Sequence, residues 1–273
     1  LTGFFCALAA AAKIARVNIA NTAVLRCLII CSSCSKVPEN FIIDAMHQRY
    51  LEVRRLGRVG YAKSLELQKE LEAEVIAERR TDYLLLLEHP HTFTLGRRSK
   101  DGGVLATAEV LRSLGVEVFE INRGGKVTYH GLGQLVGYPI VSLSPDREDV
   151  HKYVRDIEEV LIRTMADFDI EAFRIEGLTG VHTADGKVAA IGVHIKRWVT
   201  THGFALNVNT DLSYYNWIIA CEGEPVTSMD KLLGREVDMT EVEERLIENF
   251  ATVFAYGVDE AETQAVARVS VSG

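Results

Sequence analysis

The chain has 273 residues, a formal net charge of −8 at pH 7 and a pI near 5.6. Hydrophobic residues make up 48% and charged residues 25% of it, which is typical of a globular domain and excludes a disordered or collagen-like chain. A general nucleic-acid-binding protein is usually basic, so the negative charge argues against that class. The length favours one large domain or two small ones.

Residues 1–45 differ in character from the rest of the chain. They hold four basic residues and no acidic residue before Glu39. We interpret them as a stretch translated from a start assigned too far upstream, with Met46 as the natural start; the alternative is an organelle transit peptide. The first reading predicts a cytoplasmic protein and the second a mitochondrial one. We therefore predict an extension over 1–45, one folded domain over 46–257 and a frayed tail over 258–273.

Four of the five cysteines lie in this extension, and Cys27, Cys31 and Cys34 have the C-x3-C-x2-C spacing that holds an iron–sulfur cluster in radical enzymes. Such a cluster needs a large barrel around it, which so short an extension does not supply. We therefore interpret these cysteines as unligated and predict no metal site. Cys221 is the single cysteine of the main domain, and it is either an inert core residue or a nucleophile.

The apolar periodicity predicts a mixed succession of helices and strands after residue 60. In chain order it predicts a helix over 61–80, strands over 83–87 and 92–95, a helix over 107–114, strands over 116–121 and 138–143, a helix over 149–168, strands over 180–183, 187–197 and 199–208, and a helix over 241–255. Because these elements do not alternate strictly, they favour an α/β (α+β) fold, a mixed sheet flanked by helices, over a doubly wound nucleotide-binding fold.

A glycine-rich cluster over residues 122–134 is the first candidate site. It has four glycines in ten residues together with several hydrogen-bond donors, and it matches neither a P-loop nor a dinucleotide fingerprint. Glycine lets a backbone approach a ligand closely, so the cluster suits a phosphate-bearing or carbonyl-bearing ligand. A polar turn that needs glycine for its tight geometry is an equal alternative.

Lys187 and Cys221 mark the second and third candidate sites. Lys187 enters an apolar strand of small residues, where it either faces solvent or lies beside a thiol and lowers its pKa. A free cysteine with a pKa of about 8.5 is only about 3% thiolate at pH 7. Lowering that pKa by about 2 makes the thiolate the majority, and one nearby ammonium is enough to do so.

The segment RGGKVTYHGLGQLVGYPI, residues 123–140, resembles the signature of the octanoyltransferase, or lipoyl(octanoyl) transferase, family of lipoate biosynthesis. Further similar segments lie in the family's order over 88–97, before this signature, and over 187–192, 202–208 and 226–228, after it. The resemblance therefore covers about residues 50–256. Three departures stand out. The family usually reads Pro-Cys-Gly where this chain has Ala220, Cys221 and Glu222; His182 replaces a common tryptophan; and the loop after Cys221 is about two residues shorter.

The resemblance implies the fold of biotin and lipoate protein ligases and an acyltransferase that needs no cofactor. Octanoyl (or lipoyl) passes from acyl carrier protein to Cys221 as a thioester, and then to a lysine of a lipoyl domain. Lys187 lowers the pKa of the Cys221 thiol. The implied acceptors are the lipoyl domains of 2-oxoacid dehydrogenases and the glycine cleavage H protein, with no nucleic-acid or membrane partner.

The resemblance also implies a set of substrate-binding residues on three segments. These are Arg123, Gly124, Gly125, Lys126, Val127, Thr128, Tyr129, His130, Ala190, Ile191, Gly192, Gly203, Phe204 and Ala205. Backbone N–H groups of the glycine cluster, or His130, would stabilise the oxyanion. Since the implied partners are acidic, we expect a basic rim around the site, with candidates Arg97, Arg98, Lys100, Arg123, Lys126, Lys196 and Arg197.

Two other functions are compatible with the same residues. An ATP-dependent lipoate ligase of this fold would use a lysine but no cysteine nucleophile. A non-catalytic module that binds acylated proteins would leave Cys221 buried and inert.

Overall fold

The computed structural model describes residues 50–78, 81–99, 103–219 and 224–256. The predictions for the extension, its three cysteines, the tail, Lys100 and Cys221 therefore lie outside the described residues. In the described part of the chain no helix is long and apolar enough to cross a membrane, and no group of three His, Cys, Asp or Glu residues is arranged to hold a metal ion.

The elements follow one another in a mixed order. They are β1 Tyr50–Arg58, α1 Tyr61–Glu78, β2 Thr81–Glu88, β3 Thr92–Leu95, α2 Ala108–Ser113, β4 Glu117–Glu120, β5 Val127–His130, β6 Gln134–Ile140, α3 Val150–Ala166, β7 Val181–Thr183, β8 Gly186–Lys196, β9 Val199–Asn207, a 3₁₀ helix Leu212–Trp217, α4 Met229–Leu233 and α5 Met239–Phe254. The four predicted helices are confirmed, as are the predicted strands over 180–183 and 187–197, which are β7 and β8.

The main sheet has six strands in the order β1-β2-β6-β9-β8-β7. β1 and β2 are parallel, and the other neighbours are antiparallel. A second sheet orders its three strands β4-β3-β5, with β4 parallel and β5 antiparallel to β3. The mixed sheet flanked by helices confirms the predicted fold class.

Helices cover both faces of the main sheet because its strands carry apolar side chains on both sides. Leu71 and Val75 of α1 pack on Leu85, Tyr138 and Ala205 on one face. On the opposite face, α3 and α5 pack on Leu84, Leu86 and Leu206. β2 is a continuous apolar run for this reason, since both of its faces are buried.

Three features differ from the sequence-based expectation. β1 was not predicted because its exposed edge position allows four charged residues in nine, and a bulge between Arg55 and Gly57 interrupts its alternation. The predicted strand over 138–143 is wrong at both ends, since β6 runs over Gln134–Ile140. β5 lies inside the glycine cluster, which was predicted as loop.

Candidate active site

A cavity lies where β5, β8, β9, the 3₁₀ helix and the segment after residue 223 meet. Its lining residues are Val127, Thr128, Lys187, Ala189, Ala190, Asn207, Tyr215, Glu224 and Val226. Lys187 and Glu224 are the two charged residues among them. The cavity thus brings the predicted lysine together with part of the glycine cluster.

Backbone contacts fix Lys187 near the start of β8. Its N–H donates to the Pro225 carbonyl at 2.8 Å, and its carbonyl accepts from the Thr227 N–H at 3.0 Å. The side chain passes over Gly180, where φ is +126° and an added Cβ would lie 2.5 Å from Lys187 Cε. Glycine at 180 therefore leaves the space through which the ammonium reaches the cavity.

The Glu224 carboxylate lies between Lys187 and a buried histidine. Its Oε2 is 3.4 Å from Lys187 Nζ and 3.4 Å from His182 Nε2. The side chains of His182, Lys187 and Glu224 are 3%, 10% and 16% exposed. His182 and Lys187 are register partners on β7 and β8, so the sheet itself sets their separation.

A buried carboxylate on α3, that of Glu158, binds the backbone of Gly180, over which the Lys187 side chain passes. Glu158 Oε1 accepts the Gly180 N–H at 3.0 Å, and Oε2 accepts hydrogen bonds from Arg155 at 2.7 Å and Arg174 at 3.2 Å. This network holds Gly180, and therefore the space that the Lys187 side chain occupies.

The Arg123 side chain lies among Thr94, Gly96 and Gly192 and is not one of the residues that line the cavity. Its guanidinium donates to the carbonyl and hydroxyl of Thr94 at 2.7 and 2.8 Å. An added Cβ at Gly192 would lie 3.0 Å from Arg123 Cδ, and one at Gly96 would lie 2.8 Å from Nη1. Arg123 is 7% exposed, so its placement in a solvent-facing rim is wrong: its hydrogen bonds with Thr94 hold it inside the fold.

The rest of the glycine cluster divides between the cavity and the interior. Val127 and Thr128 line the cavity. Tyr129 is fully buried in the cluster of the second sheet and contacts His91 Nδ1 through its hydroxyl at 2.8 Å. His130 is buried as well, and its Nδ1 donates to Gln134 Oε1 at 2.9 Å. As substrate-binding residues, Arg123 to His130 stay a prediction; Gly124 connects them to β8 by donating its N–H to the Val193 carbonyl.

The small-residue segments of β8 and β9 lie side by side in the main sheet. Ala190 pairs with Ala205, Ile191 with Phe204, and Gly192 with Gly203. Of these six residues, Ala190 lines the cavity, whereas Phe204 is buried in the main core. A substrate-binding role for all six stays a prediction.

Three buried histidines, His89, His130 and His202, are held in the neutral form. Burial lowers the pKa of His89 from 6.5 to about 4 and that of His202 to about 4, and for His202 the nearby Arg123 charge adds to the effect. Burial also holds the pKa of His130 well below its usual range. His89 donates to the Val59 carbonyl at 2.7 Å and lies 2.8 Å from the Tyr138 hydroxyl, contacts that a neutral imidazole satisfies.

These histidines predict a loss of stability in mild acid. The unfolded chain protonates them near pH 6.5 and the folded chain only near pH 4, so the unfolded state binds more protons as the pH falls. Their contribution is present above pH 6.5 and is lost between about pH 6.5 and pH 4. We expect His89 and His202 each to lower the free energy of unfolding by about 1 kcal/mol between pH 7.5 and 5.5.

Denaturant unfolding at both pH values measures this effect. His89→Asn and His202→Asn should each lose about 1 kcal/mol of the pH dependence, while the exposed control His151→Asn keeps it. The same pH dependence in all four proteins would contradict the neutral-histidine assignment.

The remaining rim candidates are placed as follows. Arg97, Arg98, Lys196 and Arg197 are exposed, and Lys126 is half-buried. Lys196 Nζ lies 3.5 Å from Glu72, so part of its charge is compensated. A role for these five in partner binding stays a prediction.

Sequence reasoning did not find several residues of the cavity. Glu224 belongs to no recognisable sequence motif, and it lies beside Lys187 only in the folded chain. Asn207 ends the small-residue strand β9, and its amide donates to the Thr227 carbonyl at 3.0 Å while its Oδ1 accepts from Gln134 at 2.9 Å. Its position after an apolar strand was the available signal. Tyr215 lies on the 3₁₀ helix, which was not predicted.

Comparison with known proteins identifies the family. A family model described as the lipoyl protein ligase A/B catalytic domain matches residues 60–251. An octanoyltransferase of Solibacter usitatus is 51% identical over 205 residues, which are 75% of this chain and 93% of that protein. An ATP-bound lipoate-protein ligase A and a bipartite lipoate protein ligase of Thermoplasma acidophilum both give a TM-score of 0.60.

The structural matches cover 77% of this chain and 86% and 85% of theirs, at 16% and 17% identity, so they concern the fold alone. They confirm the ligase-like fold that the resemblance implied. The family assignment comes from the sequence relatives. The chain belongs to the octanoyltransferase family, within the lipoyl protein ligase A/B catalytic domains, and is an acyltransferase.

Proposed function

We propose that the protein moves an octanoyl (or lipoyl) group from acyl carrier protein to a lysine of a lipoyl domain, with Cys221 as the thioester carrier. The observation that carries this proposal is the placement of Lys187 in the cavity, 3.4 Å from the side chain of Glu224. Glu224 follows Cys221 by three residues, and consecutive Cα atoms are about 3.8 Å apart, so their Cα atoms lie within about 11 Å of each other. A nearby ammonium activates a thiol nucleophile.

In the first half-reaction the Cys221 thiolate attacks the thioester carbonyl of the donor. The carbonyl–sulfur bond to the carrier's phosphopantetheine breaks, and a new bond to Cys221 Sγ replaces it. The departing thiolate takes a proton from the Lys187 ammonium, which becomes a neutral amine. No ATP is required, because the donor thioester is already activated.

In the second half-reaction the amine of the acceptor lysine attacks the Cys221 thioester. An amide forms, the bond to Sγ breaks, and the acceptor nitrogen gives one proton to the Lys187 amine. The products are an octanoylated lysine and the starting thiolate–ammonium pair, so atoms and charge balance over the cycle.

The glycine cluster suits the carbonyl end of the substrate. Thr128 lines the cavity together with Lys187, and the backbone N–H groups of the cluster supply the oxyanion donors. The alternative donor His130 is wrong, because its imidazole is neutral and donates its one N–H to Gln134. The acyl chain would extend along Ala190 and its neighbours on β8, where burial contributes about 0.8 kcal/mol per CH₂.

The proposed partners are an octanoyl-acyl carrier protein as donor, and the lipoyl domains of 2-oxoacid dehydrogenases and the glycine cleavage H protein as acceptors. The exposed arginines 97, 98 and 197 provide positive charge for acidic partners. We propose the cytoplasm as the compartment, with the mitochondrial alternative depending on residues 1–45.

A transfer assay in two arms tests the proposal. Octanoyl-acyl carrier protein and a lipoyl domain are mixed with the enzyme without ATP, and the mass of the lipoyl domain is measured. The proposal predicts an octanoylated domain. Modification only with free octanoate and ATP would establish a ligase, and no modification in either arm would favour a binding module.

A further inference from the structure

Glu224 is the only carboxylate among the described residues that line the cavity. It approaches the lysine from the segment that follows the nucleophile, which is held on β8 by the two backbone hydrogen bonds of Lys187. Its Oε2 lies at the same distance, 3.4 Å, from Lys187 and from His182. The carboxylate is therefore fixed from three sides: by its own backbone, by the ammonium and by the imidazole.

The groups that face Lys187 leave Glu224 as its main counter-charge. From β7 comes His182, from β5 Val127 and Thr128, from β9 Asn207, and from the 3₁₀ helix the phenol of Tyr215. Among these described neighbours Glu224 alone carries a full negative charge. A buried charge without a partner is costly, so a carboxylate at this place stabilises the ammonium when no thiolate is present.

We propose that Glu224 is a positioning residue of the acyl transfer: it holds Lys187 Nζ in place through both half-reactions and shares the lysine's charge with the Cys221 thiolate. This inference rests on the proposed function. The carboxylate accepts an N–H from the lysine in its charged and in its neutral form, so it directs the nitrogen lone pair of the neutral amine toward the acceptor. While the cysteine is a free thiol, the carboxylate neutralises the ammonium.

Two measurements on Glu224→Gln should move in opposite directions. Loss of the negative charge leaves the ammonium to the thiolate, so the thiol pKa, read from the pH dependence of Cys221 alkylation by iodoacetamide, should fall by about 0.5, and alkylation at a pH well below that pKa should become about threefold faster. Loss of the fixed acceptor should lower kcat for octanoyl transfer about tenfold, with the donor KM within about twofold of wild type. A residue that serves only the fold would not separate the two in this way.

Two further variants complete the experiment. Glu224→Asp keeps the negative charge but moves it back by one methylene. Its alkylation rate should therefore stay within about twofold of wild type, and its kcat should lie between those of wild type and Glu224→Gln. Asp185→Asn removes one exposed carboxylate from the turn between β7 and β8 and should match wild type in both measurements. Peptide mass spectrometry assigns the alkylation to Cys221 rather than to the other cysteines.

Equal alkylation rates for Glu224→Gln and wild type, or an unchanged kcat, would overturn the role of Glu224. The failure of the proposed function is a separate result: wild-type protein that never acquires an octanoyl group. In that case the alkylation rates still decide whether Glu224 controls the charge at Cys221.

Discussion

Replacing Lys187 with methionine is expected to slow octanoyl transfer by about 10²–10⁴-fold, the usual contribution of a positioned proton-transfer group. Methionine keeps the length and most of the apolar volume of the side chain, so β8 and its backbone bonds to residues 225 and 227 should persist. The chemical loss has two parts: the thiol of Cys221 loses its counter-charge, and neither half-reaction has its proton carrier. Initial rates of transfer from octanoyl-acyl carrier protein to a lipoyl domain measure the effect.

Lys152→Met is the matched control. Lys152 lies on α3, where its side chain is 62% exposed and pairs with Asp156, and it is not among the residues that line the cavity. We expect its rate to stay within about twofold of wild type, since a surface ion pair contributes little. Equal rates for Lys187→Met and Lys152→Met would show that the lysine in the cavity has no part in the chemistry.

Glu158→Ala is expected to lower the free energy of unfolding by about 2–3 kcal/mol, because the buried Gly180 N–H loses its acceptor while both arginines stay partly exposed to solvent. The carboxylate is fully buried on α3 and accepts from Arg155, Arg174 and the Gly180 N–H. Its removal leaves a buried N–H without its acceptor and two arginines without their shared partner. Equilibrium unfolding in urea measures the change.

The neighbouring Glu159→Ala provides the comparison for that measurement. Glu159 pairs with Arg163 and Arg174 at the surface, where its side chain is 34% exposed. Hydrogen bonds from these arginines lower the pKa of Glu159, but solvent screens the pair, and we expect a loss below about 1 kcal/mol. A Glu158→Ala protein as stable as Glu159→Ala would mean that the buried network contributes little to the fold.

The sequence predicted the elements whose apolar pattern matches a single secondary-structure period. The helix α3 and the strand β2 have such patterns, and both were found. β5 was missed because its four residues lie in a glycine-rich segment, which predicts a tight turn. Their extended conformation comes from pairing with β3. β1 was missed because it is an edge strand. Its exposed charged side chains break the alternation of apolar and polar residues by which a strand is predicted.

The chemistry of the site was only partly readable from the chain. Lys187 was found because a lysine in a strand of small residues is unusual, and the structure places it in the cavity. Glu224 was missed, since its contact with Lys187 joins residues 37 positions apart and exists only after β7 and β8 pair. Arg123 was named a candidate for the basic rim because the implied partners are acidic, whereas its hydrogen bond to Thr94 holds it in the interior.

The most direct test of the mechanism is the intact mass of the protein after mixing with octanoyl-acyl carrier protein in the absence of ATP, with wild type beside Cys221→Ser. We predict one octanoyl adduct on wild type that is labile to hydroxylamine and passes to a lipoyl domain, and no hydroxylamine-labile adduct on the variant. A wild-type protein that stays unmodified, while activity appears only with free acid and ATP, would contradict the covalent mechanism and make Cys221 a bystander.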